Sequence, residues 1–117
     1  MGLTVLIVDD HPAFRAAARR LLEGEGFDVV GEAAEGAGAL EMARELQPQL
    51  VLLDIALPDL SGYEVARRLS AGCSKVVLVS SRSQDDLGAR LGESGALGFV
   101  PKEQLTGAVI RGLVDAR

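Results

Sequence analysis

Several things are scarce in this chain of 117 residues, and each scarcity narrows its class. One cysteine, Cys73, leaves no disulfide framework and suits a reducing cytosol. Basic residues are outnumbered, 12 against 17 acidic ones, so the chain lacks the basic patch that binding nucleic acid unaided would need. No apolar run approaches the ~18 residues of a membrane span. The start, Met1-Gly2-Leu3-Thr4-Val5, has no basic segment ahead of its short apolar run, and Leu6 stands where a myristoylation signal wants Ser or Thr. No glycine-rich phosphate loop follows that run. Asp9-Asp10-His11-Pro12 stands there instead, which excludes a dinucleotide or P-loop site. Repeats and low-complexity stretches are absent too. With 48% apolar residues, one globular cytoplasmic domain over residues 1–117, without membrane contact, is expected.

What the chain does contain is four short apolar runs that each end in a functional polar residue. Leu3–Val8 ends in Asp9-Asp10, Leu50–Leu53 in Asp54, Val76–Val79 in Ser80, and Phe99–Pro101 in Lys102. Runs of this kind, separated by helical patterns, read as strands of a parallel sheet buried on both faces. The order is strand Leu3–Val8, helix Pro12–Glu23, strand Phe27–Ala33, helix Ala37–Leu46, strand Leu50–Asp54 and helix Tyr63–Ser70. Strand Lys75–Ser80, helix Asp85–Glu93, strand Ala96–Val100 and helix Gln104–Ala116 complete it. Pro12 suits a first helical turn, Gly24 and Gly26 mark an end, and Pro48 stops the second helix. Strands alternating with helical crossovers imply a right-handed, doubly wound α/β domain. In such sheets, chemistry collects beyond the carboxyl ends of the strands.

That edge would then hold three carboxylates, a hydroxyl and an ammonium. Two unit charges about 4 Å apart repel by ~4 kcal/mol at an effective dielectric near 20. Clustered carboxylates therefore call for a counter-charge, and Mg²⁺, which takes oxygen ligands and keeps room for phosphate oxygens, supplies one. One of Asp9 and Asp10 is expected to cap the first helix as well. Asp54 is either a further ligand or a nucleophile able to form an aspartyl phosphate. Of the twelve cations ten are Arg, so a Lys at position 102, directly after Pro101, is selective. A compact ammonium fits a phosphoryl oxygen in a tight site better than a guanidinium fork does. Ser80 offers a hydroxyl donor, with Ser81 and Ser83 in the same loop as competitors.

Taken together, Asp9-Asp10, Asp54-Ile55-Ala56-Leu57-Pro58 with Gly62, Ser80, and Gly98-Phe99-Val100-Pro101-Lys102 resemble the receiver domain of two-component response regulators. The resemblance covers essentially the whole chain. Val29-Val30-Gly31-Glu32-Ala33 and Val8-Asp9-Asp10-His11-Pro12 are similar to receivers that precede LuxR-type helix-turn-helix domains. It implies a flavodoxin-like (βα)5 three-layer sandwich whose parallel five-stranded sheet has the order 2-1-3-4-5, which would bring Asp9, Asp10 and Asp54 together. It also implies that Asp54 accepts a phosphoryl group from a sensor histidine kinase, and that Asp9, Asp10, Asp54 and the backbone carbonyl of Ala56 hold Mg²⁺. Ser80 and Lys102 would engage the phosphoryl oxygens, and Phe99 would turn inward as Ser80 moves. Such a domain labels and unlabels itself but is not a turnover enzyme.

Departures from the common pattern are Ser81, where Ala is usual, the small Ala56, and Gly88 with Gly92 in the fourth helix. Interior glycines each cost roughly 1 kcal/mol against Ala, so that helix would be repositioned cheaply when Ser80 is pulled. An Asp-nucleophile phosphatase of the haloacid dehalogenase type would resemble this chain, but Ala56 stands where its general-acid Asp would be. The signal would leave through the face made by the fourth helix, fifth strand and fifth helix. It would reach either a transcriptional output domain or, for a single-domain regulator or phosphorelay intermediate, a partner protein. Leu105, Ala108, Val109, Gly112, Leu113 and Ala116 form an apolar stripe on the last helix, with Ile110 and Val114 as a surplus flank, so a homodimer through that helix is expected.

Overall fold

The computed structural model describes residues 2–72, 74–81 and 92–115. The apolar runs become β1 (Thr4–Val8), β2 (Asp28–Ala33), β3 (Leu50–Asp54), β4 (Lys75–Ser80) and β5 (Gly98–Pro101). All four strand pairings are parallel, and the sheet order is 2-1-3-4-5. The doubly wound architecture expected from the alternation is therefore present.

Alternation along each central strand divides the interior in two. Val5 and Ile7, Leu50 and Leu52, and Val77 and Val79 face α1 (Pro12–Gly24) through Ala18 and Leu22, and α4 (Gly107–Asp115) through Ile110 and Val114. Leu6 and Val8, Val51 and Leu53, and Val76 and Leu78 face α2 (Gly36–Leu46) through Ala39, and α3 (Gly62–Ala71) through Val65, Ala66 and Leu69. Each fully buried Val, Leu or Ile contributes about 1.5–3 kcal/mol, and this burial anchors the three central strands. Among the described residues no helix is long and apolar enough to cross a membrane.

Helix ends follow local chemistry. Pro12 occupies the first turn of α1, but the residue at its N-cap is His11, and no side chain caps it. The expected capping by Asp9 or Asp10 is thus corrected: Asp9 binds the backbone of His11 itself. Past α1, Gly26 adopts φ +94°, a left-handed conformation that favours glycine, and turns the chain into β2. Gln47 ends α2 in the same region, at φ 49°, just before Pro48. Glu32 on β2 receives Arg19 Nε at 2.7 Å and Arg15 Nε at 3.1 Å, which tie α1 to the sheet and hold the Glu32 carboxyl below its ordinary range.

Two readings near the C-terminus change. β5 starts at Gly98 rather than Ala96 and takes in Pro101, and the expected single helix from Gln104 is interrupted. A 3₁₀ turn, Lys102–Gln104, is followed by extended Leu105, and the helix proper starts after Thr106, whose Oγ1 accepts the Val109 N–H at 3.1 Å. A threonine hydroxyl is a good N-cap, so α4 begins there. The surplus flank is also corrected. Ile110 and Val114 are core, while Ala108, Val109 and Gly112 face solvent. Ile110→Ala is accordingly expected to cost about 2–5 kcal/mol in denaturant unfolding, and Val109→Ser less than about 0.5 kcal/mol. The fourth predicted helix, with Gly88, lies outside the described residues except at 92–93, as do Cys73, Ser83 and Ala116.

Candidate functional site

Parallel register sets out the site one residue at a time. Val8 pairs with Leu53, so Asp9 follows β1 at the level where Asp54 ends β3. Asp54 pairs with Val79, and Ser80 pairs with Pro101, so Ser80 and then Lys102 stand one step further along the same edge. Asp9, Asp54 and Ser80 are buried, whereas Asp10 and His11 are exposed.

The two oxygens of Asp9 have different neighbours. Oδ1 accepts the His11 N–H at 2.8 Å and lies 2.9 Å from His11 Nδ1. Oδ2 lies 2.6 Å from Lys102 Nζ but accepts no aligned hydrogen bond, although it is buried. Asp54 is divided likewise: Oδ1 accepts the Ala56 N–H at 3.1 Å, and Oδ2 is 3.6 Å from Lys102 Nζ. Lys102 Nζ also stands 4.4 Å from the centre of the Phe14 ring on α1, whose negative face favours a cation there. Burial pushes the Asp54 carboxyl above its ordinary range; Asp9 and Asp10 push the same way, while the Ala56 N–H and Lys102 oppose them.

The loop beyond Asp54 is held from two sides. Gly62 N–H donates to Ile55 O at 2.9 Å, and a Cβ on Gly62 would stand 2.5 Å from Ile55 Cα and 2.6 Å from Asp54 O. Only glycine allows that approach. Asp59 accepts the N–H groups of Gly36 at 2.7 Å and Ala37 at 2.9 Å, which cap α2 from another loop and hold the Asp59 carboxyl below its ordinary range.

Asp9, Asp10 and Asp54 come together as expected, and one ligand atom from each, with one from His11, fits within 4.8 Å. Lys102 joins them. Ser80 shares the edge, Ser81 is exposed, and Phe99 is half-buried on β5, packed against the α2–α3 core. The residues fit Mg²⁺: Asp9, Asp10 and Asp54 are oxygen donors, and the repulsion on Asp54 is of the kind a cation relieves. Sequence reasoning missed His11, Phe14 and Asp59. His11 carried a signal, an imidazole next to paired carboxylates; the other two matter only through contacts distant in sequence.

The sequence profile of the response regulator receiver domain matches residues 5–111. The chain is 50% identical over 102 residues to the virulence-factor transcription regulator BvgA of Bordetella pertussis, covering 86% of this chain and 49% of that one. It is 39% identical over 117 residues to the response regulator GacA of Pseudomonas aeruginosa, covering 97% and 53%. The chain thus spans about half the length of these relatives. Among solved structures, the signal receiver domain of NarL from Mycobacterium tuberculosis is similar with a TM-score of 0.87 at 32% identity, covering 98% of this chain and 95% of that one. A LuxR-family two-component response regulator from Aurantimonas gives 0.87 at 28%, with coverage of 99% and 85%.

Proposed function

The chain belongs to the response regulator receiver family, and on that premise we propose that Asp54 accepts a phosphoryl group from the phosphohistidine of a sensor kinase. The observation that carries this reading is the division of Asp54: one oxygen is held by the Ala56 N–H, while the other faces Lys102. Oδ2 is then the nucleophile. As it attacks, the P–O bond forms, the P–N bond to the kinase imidazole breaks, and the departing nitrogen keeps the electron pair. Lys102 balances the charge of the transferring oxygens, and the Ser80 hydroxyl donates to one of them. Asp9, Asp10, Asp54 and the Ala56 carbonyl would hold Mg²⁺, which screens the carboxylates from the incoming phosphoryl group.

Once Ser80 and Lys102 turn toward the new group, Phe99 follows inward, and the change reaches the β5–α4 face. The response it controls is read from the relatives, several of which are named as transcription regulators. Self-association through α4 then rests on the exposed Val109 and its small neighbours. A cytoplasmic location fits this partnership.

The direct test is labelling with acetyl phosphate in Mg²⁺, followed by mass spectrometry. One acid-stable, base-labile phosphoryl group on Asp54, absent in EDTA, is the expected result. A group on Ser80 or Ser81, or labelling undiminished by EDTA, would overturn the mechanism.

A further inference from the structure

Among the described residues, His11 is a metal-ligating side chain at this edge that the phosphoryl chemistry does not use. Its side chain is 65% exposed, yet Nδ1 lies between two carboxylates, 2.9 Å from Asp9 Oδ1 and 3.1 Å from Asp10 Oδ1. With an atom of Asp54 the group stays within 4.8 Å. In a tetrahedral site with bonds of about 2.0 Å, ligand atoms lie roughly 3.3 Å apart. The two His11 spacings are already near that, and the widest pair has to close by up to about 1.5 Å. Lys102 sits on Asp9 Oδ2, the far side from His11, so it need not leave.

Resting on the reading of this edge as a cation site, we propose that His11 is a fourth side-chain ligand that makes the site prefer zinc-like transition ions over Mg²⁺. The chemistry of the donors is the reason. Oxygen-only sets suit Mg²⁺, whereas an imidazole nitrogen adds little for Mg²⁺ and much for Zn²⁺, Co²⁺ or Ni²⁺. Three carboxylates also balance a divalent ion together with the Lys102 ammonium.

Occupancy by the two kinds of ion has opposite consequences. Mg²⁺ retains several waters and leaves positions for phosphoryl oxygens. Zn²⁺ held by Asp9, Asp10, His11 and Asp54 is a closed four-ligand site. Such a site leaves no position for a phosphoryl oxygen. A zinc-like ion therefore blocks phosphoryl acceptance, and His11 is what gives it the advantage.

The test uses the 117-residue chain with Cys73→Ser as background, so that the thiol contributes no metal ligand, and compares it with the same chain carrying His11→Ala. Zn²⁺ and Mg²⁺ affinities are measured by calorimetry, and the His11 ring nitrogens are followed by ¹⁵N NMR. The expected result is Zn²⁺ binding at least about tenfold tighter than Mg²⁺, a ratio that falls about tenfold or more in His11→Ala. Nδ1 should shift with Zn²⁺ and not with Mg²⁺. Equimolar Zn²⁺ should suppress acetyl-phosphate labelling in Mg²⁺, and His11→Ala should relieve that suppression. An unchanged ratio, or a silent Nδ1, overturns the role of His11 even while Mg²⁺-dependent labelling of Asp54 proceeds. Absence of that labelling without Zn²⁺ overturns instead the phosphoacceptor reading on which it rests.

Discussion

Asp54→Asn is expected to abolish acetyl-phosphate labelling entirely, because an amide of nearly the same shape is not a nucleophile here. Lys102→Arg should differ: a cation remains, so some label forms, but Lys102 fits a space bounded by Asp9 at 2.6 Å, Asp54 at 3.6 Å and the Phe14 ring at 4.4 Å. A guanidinium fork does not occupy that space in the same way, so labelling is slowed and uncoupled from the change at β5. Intact-mass kinetics measure the first effect and amide shifts of the strand residues the second.

The same asparagine substitution has a stability signature of its own. In the metal-free protein, burial raises the Asp54 carboxyl above its ordinary range, so the folded state holds the proton more tightly than the unfolded one. Its contribution to stability is fully present below the ordinary carboxylate range and is lost as pH rises through the raised value. Asp54→Asn removes that loss. In EDTA the variant should be more stable than the parent at neutral pH, and the difference should vanish in acid. A Tm difference independent of pH would mean that the buried charge is already compensated.

Gly62→Ala should have a large effect for a single methyl group. The added Cβ would meet backbone, Ile55 Cα at 2.5 Å and Asp54 O at 2.6 Å, and backbone cannot rotate aside as a side chain can. Either α3 retreats from β3 or the carboxyl end of β3 shifts, at a cost of about 2–4 kcal/mol. Because Asp54 sits at that end, labelling should slow even under conditions where the variant is folded. Gly38→Ala, on an open face of α2 with nothing within 4 Å of a Cβ, is the control and should be neutral or slightly stabilising. Urea unfolding of both variants, with labelling rates on the folded protein, makes the comparison.

How far the chain could be read in advance depended on whether the signal was local. β3 and β4 end where the apolar runs end, at Asp54 and Ser80, because burial on both faces requires an unbroken run and the first polar residue stops it. The start of α4 was misplaced because Gln104 is compatible with a helix, and only the Thr106 cap, with Leu105 turned into the core, decides otherwise. Its orientation was misplaced for a related reason. Both sides of α4 are apolar, so periodicity could not say that Ile110 and Val114, rather than Val109, face the sheet.

By itself, then, the sequence determined the five-strand alternation, the buried central strands and the list of Asp9, Asp10, Asp54 and Lys102, since each is encoded within a few neighbouring residues. Tertiary structure alone decided how the charges are shared. It put Lys102 nearer Asp9 than Asp54, laid the Phe14 ring beside it, let Asp59 cap a helix from another loop, and brought His11 Nδ1 between two carboxylates. These are distances across the fold, and they depend on strand register and helix placement, which side-chain packing sets and local pattern does not encode.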